Sequence, residues 1–238
     1  MGGGGTFDSA LRGFRRLQEA GLNPSVSCTL SGHTVHRMDE IVDFIIGELR
    51  PRGMGFNLLL PRAGDVSEGA ALDHEYASRR IVHAFERLRE AGIYEDRVMR
   101  RVRPYIDGRV HFKDCMGVGG QIVVGPSGRI GPCQAFLGLD DKKYFPLEIG
   151  ELAKSESPSD AIYSEPMFDE WRHRFPFNMD GCADCPAISV CGGGCPYAAA
   201  VVKGSIWDID ERICHQAKII FEWMIWDTYA NLEAAPAG

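Results

Sequence analysis

The chain has 238 residues, of which 45% are hydrophobic and 25% charged, and its formal net charge is -7. This is the composition of a globular protein of one or two domains. The negative charge argues against a nucleic-acid or anionic-membrane binder, because affinity for phosphate depends on lysine and arginine. No apolar run reaches the roughly 20 residues that span a bilayer, and no secretory signal is visible. We therefore expect a cytoplasmic protein, where cysteines are more often metal ligands than disulfides.

The first hundred residues alternate between helix and strand patterns. In chain order the spacing of apolar residues predicts a helix over 6–20, a strand over 25–30, a helix over 38–49, a strand over 54–60 and a helix over 73–91. This αβαβα order predicts an α/β fold with a parallel sheet and helical crossovers. Two parallel strands cannot bury their own faces, so the pattern indicates the back half of a larger α/β domain.

Basic residues cluster at 97–103 and predict a solvated helix face, with a dock for an acidic peptide as the alternative. From about residue 109 the chain becomes irregular and rich in cysteine. Gly125-Pro126-Ser127-Gly128 predicts the turn of a β-hairpin over 121–130. The later segments are predicted as loops over 138–159, a short helix over 165–174, a long helix capped by Asp208 or Asp210, and a frayed tail over 234–238.

Seven of the eight cysteines follow one spacing pattern. It reads Cys115-x12-Gly128-x4-Cys133, then Cys182-x2-Cys185-x5-Cys191-x3-Cys195, and then, after eighteen intervening residues, Cys214. Short C-x2-C spacing lets both sulfurs face one centre. The glycines at 192–194 permit positive φ and let backbone N–H groups approach inorganic sulfide. The pattern therefore predicts iron–sulfur clusters.

The spacing also divides the seven ligands. Cys195 is followed directly by proline, and this Cys-Pro pattern is similar to the one in bacterial ferredoxins. There, the last cysteine of a run ligates the other of the two clusters. We therefore expect Cys182, Cys185, Cys191 and Cys214 to hold one cluster. The remaining ligands, Cys115, Cys133 and Cys195, would hold a second cluster with one iron position open or filled by another group.

Three alternatives compete with this interpretation. A structural zinc site accepts C-x2-C pairs, but the three-glycine C-x3-C spacing and the odd seventh cysteine fit it poorly. Disulfides would leave one of the seven cysteines unpaired. Coincidental buried cysteines do not account for four cysteines within 182–195. Cys28 lies on the buried phase of a predicted strand and is interpreted as a core thiol.

The seven-cysteine pattern resembles the SPASM domain of radical S-adenosylmethionine (radical SAM) enzymes. The segment before it, with TFDSALRGFRRLQEAGL, SVSCTL and FNLLLP, looks like the second half of their partial (β/α)6 barrel. The resemblance extends over about residues 6–229. It implies two auxiliary 4Fe–4S clusters with the same division of cysteines. It also implies a barrel segment over 1–108, a SPASM domain with a β-hairpin and C-terminal helix over 109–232, and a tail over 233–238.

Members of this family modify peptides and proteins, by crosslinking ribosomal peptides or by forming formylglycine in sulfatases. The resemblance therefore implies a peptide or protein substrate and a reductant such as ferredoxin or flavodoxin. However, the C-x3-C-x2-C motif that binds the SAM-cleaving cluster is absent, as is the glycine-rich SAM segment. We expect no catalytic residue, no radical chemistry by this chain alone, and S-adenosylmethionine binding only with the missing barrel half present.

The leading hypothesis is thus the C-terminal part of a radical SAM/SPASM maturase, with the missing barrel half supplied in cis or in trans. The alternatives are a stand-alone iron–sulfur electron carrier or peptide-binding module, and a zinc-structured adaptor. Thr29 and Asn57 lie on the two predicted strands and are candidates for the barrel mouth, although a structural hydrogen bond is the favoured explanation for a buried hydroxyl or amide.

Overall fold

The strands predicted in the first hundred residues form one parallel sheet. In a computed structural model, which describes residues 5–62 and 72–234, β1 (Val26–Leu30) pairs along its whole length with β2 (Gly53–Leu58). The sheet is extended on the far side of β2 by β3 (Tyr94–Glu95), a strand that the sequence pattern missed. The predicted parallel pairing is confirmed. Most of the glycine tract at 2–5 and the tail after residue 234 lie outside the described residues.

The helices of this segment also follow the prediction. They are α1 (Phe7–Glu19), α2 (Met38–Phe44), α3 (His74–Glu90) and α4 (Asp96–Ile106). A 3-10 turn (Val35–Arg37) precedes α2, and a π-helical turn (Ile45–Leu49) continues it. The carboxylate of Asp73 accepts the N–H of Tyr76 at 2.9 Å and so caps α3, as predicted.

The described chain divides into two compact units. The first comprises residues 5–59, 72–103 and 222–234. Its core surrounds β2, in which Phe56 is fully buried, and is filled by apolar side chains of the helices, namely Met38, Val42, Ile45, Ile81, Phe85 and Leu88. A strand that is buried along nearly its whole length explains why its sequence is almost continuously apolar.

The basic cluster at 97–103 is only partly a solvated face. Arg101 is fully buried within α4, and its guanidinium donates to the carbonyl oxygen of Arg97 at 3.1 Å. The prediction of a solvated helix face is wrong at this position. The reason is the pitch of α4, which places Arg101 one turn after the buried side chain of Val98.

The second unit comprises residues 60–62 and 104–221. Its strands β4 (Val123–Val124), β5 (Arg129–Gly131) and β6 (Leu147–Glu148) form an antiparallel sheet, and β4 and β5 are the predicted hairpin. The helices are short apart from the last one. They are α5 (Asp141–Tyr144), α6 (Ile149–Leu152), α7 (Pro158–Ser164), α8 (Pro166–Arg172), α9 (Ile188–Cys191), α10 (Pro196–Lys203) and α11 (Glu211–Ala234), with 3-10 turns at Gln134–Phe136 and Pro176–Asn178.

The segment over 138–159 is more ordered than predicted. It contains α5, β6 and α6 rather than loops alone. Elements of two to four residues are too short to show an apolar period, so the composition of this segment looks like that of a loop.

An aromatic core packs against β4 of the hairpin through Val123. The ring of Phe136 stacks on Tyr144 with centroids 4.0 Å apart and meets Trp171 and Tyr197 edge-on. Cys133 belongs to the same buried cluster, and Cys195 packs against it. This core therefore positions two of the predicted ligands. The (β/α)6 barrel and the domain boundaries at residues 108 and 232 remain predictions.

Candidate metal centre

Four of the predicted ligands surround one cavity. Cys182, Cys185, Cys191 and Cys214 line a space of about 60 Å³. The N–H of Cys185 donates to the carbonyl oxygen of Cys182 at 3.0 Å, so the C-x2-C pair forms a tight turn. Cys191 ends α9, and Cys214 lies in the first turn of α11. These are the four cysteines that the spacing assigned to one cluster.

Burial favours the protonated form of two thiols that line this cavity. The pKa values of Cys182 and Cys214 are raised mainly by burial, and neighbouring cysteines raise them further. The ammonium group of Lys218, one turn after Cys214, hydrogen-bonds to the Cys214 sulfur and opposes the rise in its pKa. Metal binding would therefore release protons and depend on pH.

The other three predicted ligands lie near one another. Burial raises the pKa of Cys133 to about 11, and the charges of Cys195 and Cys115 contribute to the rise. Each sulfur accepts a backbone N–H, from Gly117 to Cys115 at 3.4 Å, from Ala135 to Cys133 at 3.4 Å, and from Ala198 to Cys195. Such bonds favour the thiolate over the thiol. The seven cysteines thus form a group of four and a group of three.

The three glycines that join the two groups need positive φ. The φ angles of Gly192, Gly193 and Gly194 are 73°, 79° and 70°. A Cβ atom on Gly192 would lie 2.5 Å from the backbone nitrogen of Asp114, and one on Gly194 would lie 2.9 Å from the Cβ of Asp210. The predicted role of these glycines in permitting positive φ is confirmed. At Gly192 and Gly194 the surroundings leave no room for a side chain, as a close-fitting cradle requires.

Buried charged residues complete this region, and sequence reasoning missed their role. Arg174 is fully buried directly after α8, where only the end of a short helix was predicted. Asp210 and Arg212 form a buried bidentate pair with distances of 3.0 and 2.9 Å. Asp210 was predicted only as a helix cap, yet its carboxylate also accepts the N–H of Cys195 at 3.0 Å. An isolated arginine carries no sequence signal that separates burial from exposure.

The cysteines that line the cavity are a donor set for a metal centre. Within residues 5–62 and 72–234, no three His, Cys, Asp or Glu side chains converge closely enough to hold a single metal ion. A zinc site would need four sulfurs each about 2.3 Å from one ion. The four cysteines that line the cavity are the donor set that an iron–sulfur cluster takes, so the residues present fit that group.

The strand candidates have ordinary structural partners. The amide nitrogen of Asn57 donates to the hydroxyl of Ser27 at 2.8 Å, and its oxygen accepts from Arg97. Thr29 lies opposite Asn57 in the sheet and is exposed. Cys28 is only half-buried, although burial still raises its pKa. A structural role accounts for the contacts of Asn57.

Comparisons with known proteins agree with the fold expected from the cysteines. No family model matches the chain. Fe-coproporphyrin III synthase of Methanosarcina barkeri is 24% identical over 234 residues, which cover 90% of this chain and 58% of that protein. The structure of anSMEcpe with bound AdoMet matches with a TM-score of 0.73 at 14% identity, over 97% of this chain and 60% of that one. This chain has the fold of the radical SAM/SPASM enzymes.

Further matches are consistent with that fold. Streptococcus suis SuiB bound to S-adenosylmethionine gives a TM-score of 0.58 at 17% identity, over 87% of this chain and 48% of that one. anSMEcpe was also solved with AdoMet and the Cp18Cys peptide. The chain spans about 60% or less of the length of these radical SAM/SPASM relatives. In the described part of the chain, no helix is both long and apolar enough to cross a membrane.

Proposed function

We propose that this chain binds two auxiliary 4Fe–4S clusters as the SPASM part of a radical SAM enzyme that modifies a peptide or protein. The observation that carries the proposal is the single cavity lined by Cys182, Cys185, Cys191 and Cys214. Cys115, Cys133 and Cys195 would hold the second cluster. Bound clusters would supply an electron acceptor or an open iron for substrate binding.

The residues of this chain would mainly hold and orient the clusters. The glycines at 192–194 bring backbone close to one centre, and the aromatic core around Phe136 packs against Cys133 and Cys195 of the other. Cleavage of S-adenosylmethionine needs the C-x3-C-x2-C part of the fold, in cis or in trans. The peptide complex of anSMEcpe supports a peptide substrate. Ferredoxin or flavodoxin is the proposed reductant.

A second candidate substrate class is a tetrapyrrole. The observation in its favour is the sequence match to Fe-coproporphyrin III synthase over 90% of this chain. Both candidates use the same two cluster sites, so the ligand assignment is tested independently of the substrate. Binding of a peptide or of coproporphyrin to the reconstituted chain distinguishes the two classes.

The decisive experiment is metal analysis after anaerobic reconstitution. We expect about eight iron atoms per chain, since each of the two clusters holds four, together with visible thiolate-to-iron absorption. Cys185→Ala and Cys133→Ala should each lower the iron content, with different clusters lost in the two variants. Cys28→Ala is the matched control and should load like the wild type. Colourless protein that contains zinc and no iron would overturn the proposal.

Electron transfer without substrate modification is the remaining alternative. A stand-alone carrier or binding module would be a well-behaved monomer with both clusters when purified by size exclusion. A chain that needs the other barrel half would instead aggregate through the edge of β1 that no described strand pairs, because such an edge is a template for association.

A further inference from the structure

A buried arginine lies between the two groups of cysteines. The guanidinium of Arg174 donates to the carbonyl oxygens of Gly193 at 2.8 Å, Gly194 at 3.4 Å and Asp208 at 3.2 Å, and also to that of Ile206. All four acceptors are main-chain oxygens. The planar fork of an arginine is suited to hold several carbonyl groups in a fixed arrangement.

Two of these acceptors belong to the segment that connects the groups. Gly193 and Gly194 lie between Cys191, which lines the cavity of four, and Cys195, which lies near Cys133. The opposite side of the segment is held by Asp210, whose carboxylate accepts the N–H of Cys195. Arg174 binds the carbonyl oxygens of Gly193 and Gly194, and Asp210 binds the N–H of Cys195. These bonds together fix the backbone conformation that directs Cys195 away from the glycines.

The charge of Arg174 is not balanced by its hydrogen-bond partners. Neutral carbonyl groups solvate a guanidinium but do not cancel its charge, and an unpaired buried charge is costly. The neighbouring carboxylate, Asp210, is already bound on both oxygens by Arg212. The other negative groups that act on Arg174 are the sulfurs of Cys182, Cys191 and Cys195. They come from both cysteine groups and are anionic when they bind metal.

We propose that Arg174 is a positioning residue shared by the two cluster sites. It fixes the glycine segment that sends Cys195 to the second site, and it supplies one positive charge that stabilises the anionic thiolates of both. The inference rests on the proposed function, because it requires both clusters. Burial lowers the pKa of Arg174, and the sulfurs of both groups oppose that shift, as a shared charge requires.

The test separates the charge from the geometry. Arg174→Met removes both, Arg174→Lys keeps the charge without the fork, and the exposed Arg109→Met is the control. The chain is reconstituted anaerobically, and its iron content and the midpoint potentials of both clusters are measured. Arg174→Met should bind less iron. Both of its clusters should be harder to reduce, since reduction adds negative charge where a positive charge was lost.

We expect the ratio of reduced to oxidised cluster at a fixed potential to fall about tenfold in Arg174→Met, which corresponds to 59 mV for one electron. Arg174→Lys should bind less iron than the wild type, with both potentials close to the wild-type values. If Arg174→Met does not fold, the iron content and potentials of Arg174→Lys test the inference in its place. Unchanged potentials in Arg174→Met, a potential shift confined to one cluster in that variant, or wild-type iron binding in Arg174→Lys would overturn the inference. A wild-type chain that fails to bind two clusters would instead overturn the proposed function.

Discussion

At the scale of single residues, the segment between the two cysteine groups requires glycine at position 192, where no side chain fits. Gly192→Ala should lose iron and be less stable by more than the about 1–2 kcal/mol of left-handed strain, because its Cβ would also clash with the backbone of Asp114. Gly21→Ala is the matched control, since Gly21 has a similar φ and open space around its Cβ position. Urea unfolding and iron analysis measure both effects. Equal destabilisation of the two variants would show that the clash is unimportant.

Glu95 makes the stability of the first unit depend on pH. Its fully buried carboxylate accepts the N–H groups of Phe56 at 3.1 Å and Val98 at 2.7 Å, yet burial raises its pKa more than these bonds lower it. A raised pKa means that the folded state holds the proton more tightly than the unfolded state. The resulting stabilisation is fully present below the ordinary value of 4.5 and is lost as the pH rises through the folded pKa.

Glu95→Gln removes this titration. We expect the free energy of unfolding of the wild type, relative to the variant, to fall as the pH rises from about 4 and then to level off. The variant should be less stable than the wild type at low pH, since the NH2 group of the amide cannot accept an N–H, whereas both oxygens of a protonated carboxyl group can. Urea titrations at a series of pH values provide the measurement. Parallel pH profiles for the two proteins would contradict the assignment.

At the scale of elements, the short 3-10 turn after Cys133 carries an essential core side chain. Phe136→Ala should destabilise the chain by about 3–5 kcal/mol, the usual cost of removing a buried aromatic ring. It should also speed the loss of iron, because Phe136 packs in the same buried cluster as Cys133. The control is Phe177→Ala, whose side chain is 50% exposed. Chelator-driven bleaching and thermal unfolding follow the two effects, and similar behaviour of the two variants would refute the role of Phe136.

The elements also show which features the sequence encodes locally. Helices α1, α2 and α3 were predicted because each is long enough for several turns of apolar repeat. β3 and β6 have two residues each, too few to show any period. The grouping of Cys182, Cys185 and Cys191 around one cavity was predictable because these cysteines are close in sequence, and their role as cluster ligands stays a prediction. Arg174 was not predictable, since its partners lie 19 to 34 residues further along the chain.

At the scale of the whole molecule, the two compact units differ in what holds them together. The first unit has an apolar core around β2, whereas the second has strands of two or three residues and mostly short helices. Removal of iron should therefore lower hydrogen-exchange protection at residues 182–195 and leave β2 protected. Exchange measured by mass spectrometry with and without an anaerobic chelator gives both values. Equal loss of protection in both regions would contradict this division.

The link of three glycines between Cys191 and Cys195 would couple the insertion of the two proposed clusters. Under the proposed ligation, insertion of either cluster orders the segment that carries a ligand of the other, so the first insertion makes the second more favourable. When iron is scarce, chains would then carry either two clusters or none, rather than one cluster each. Oxygen damage would spread in the same way, because destruction of one centre releases the segment that its neighbour needs.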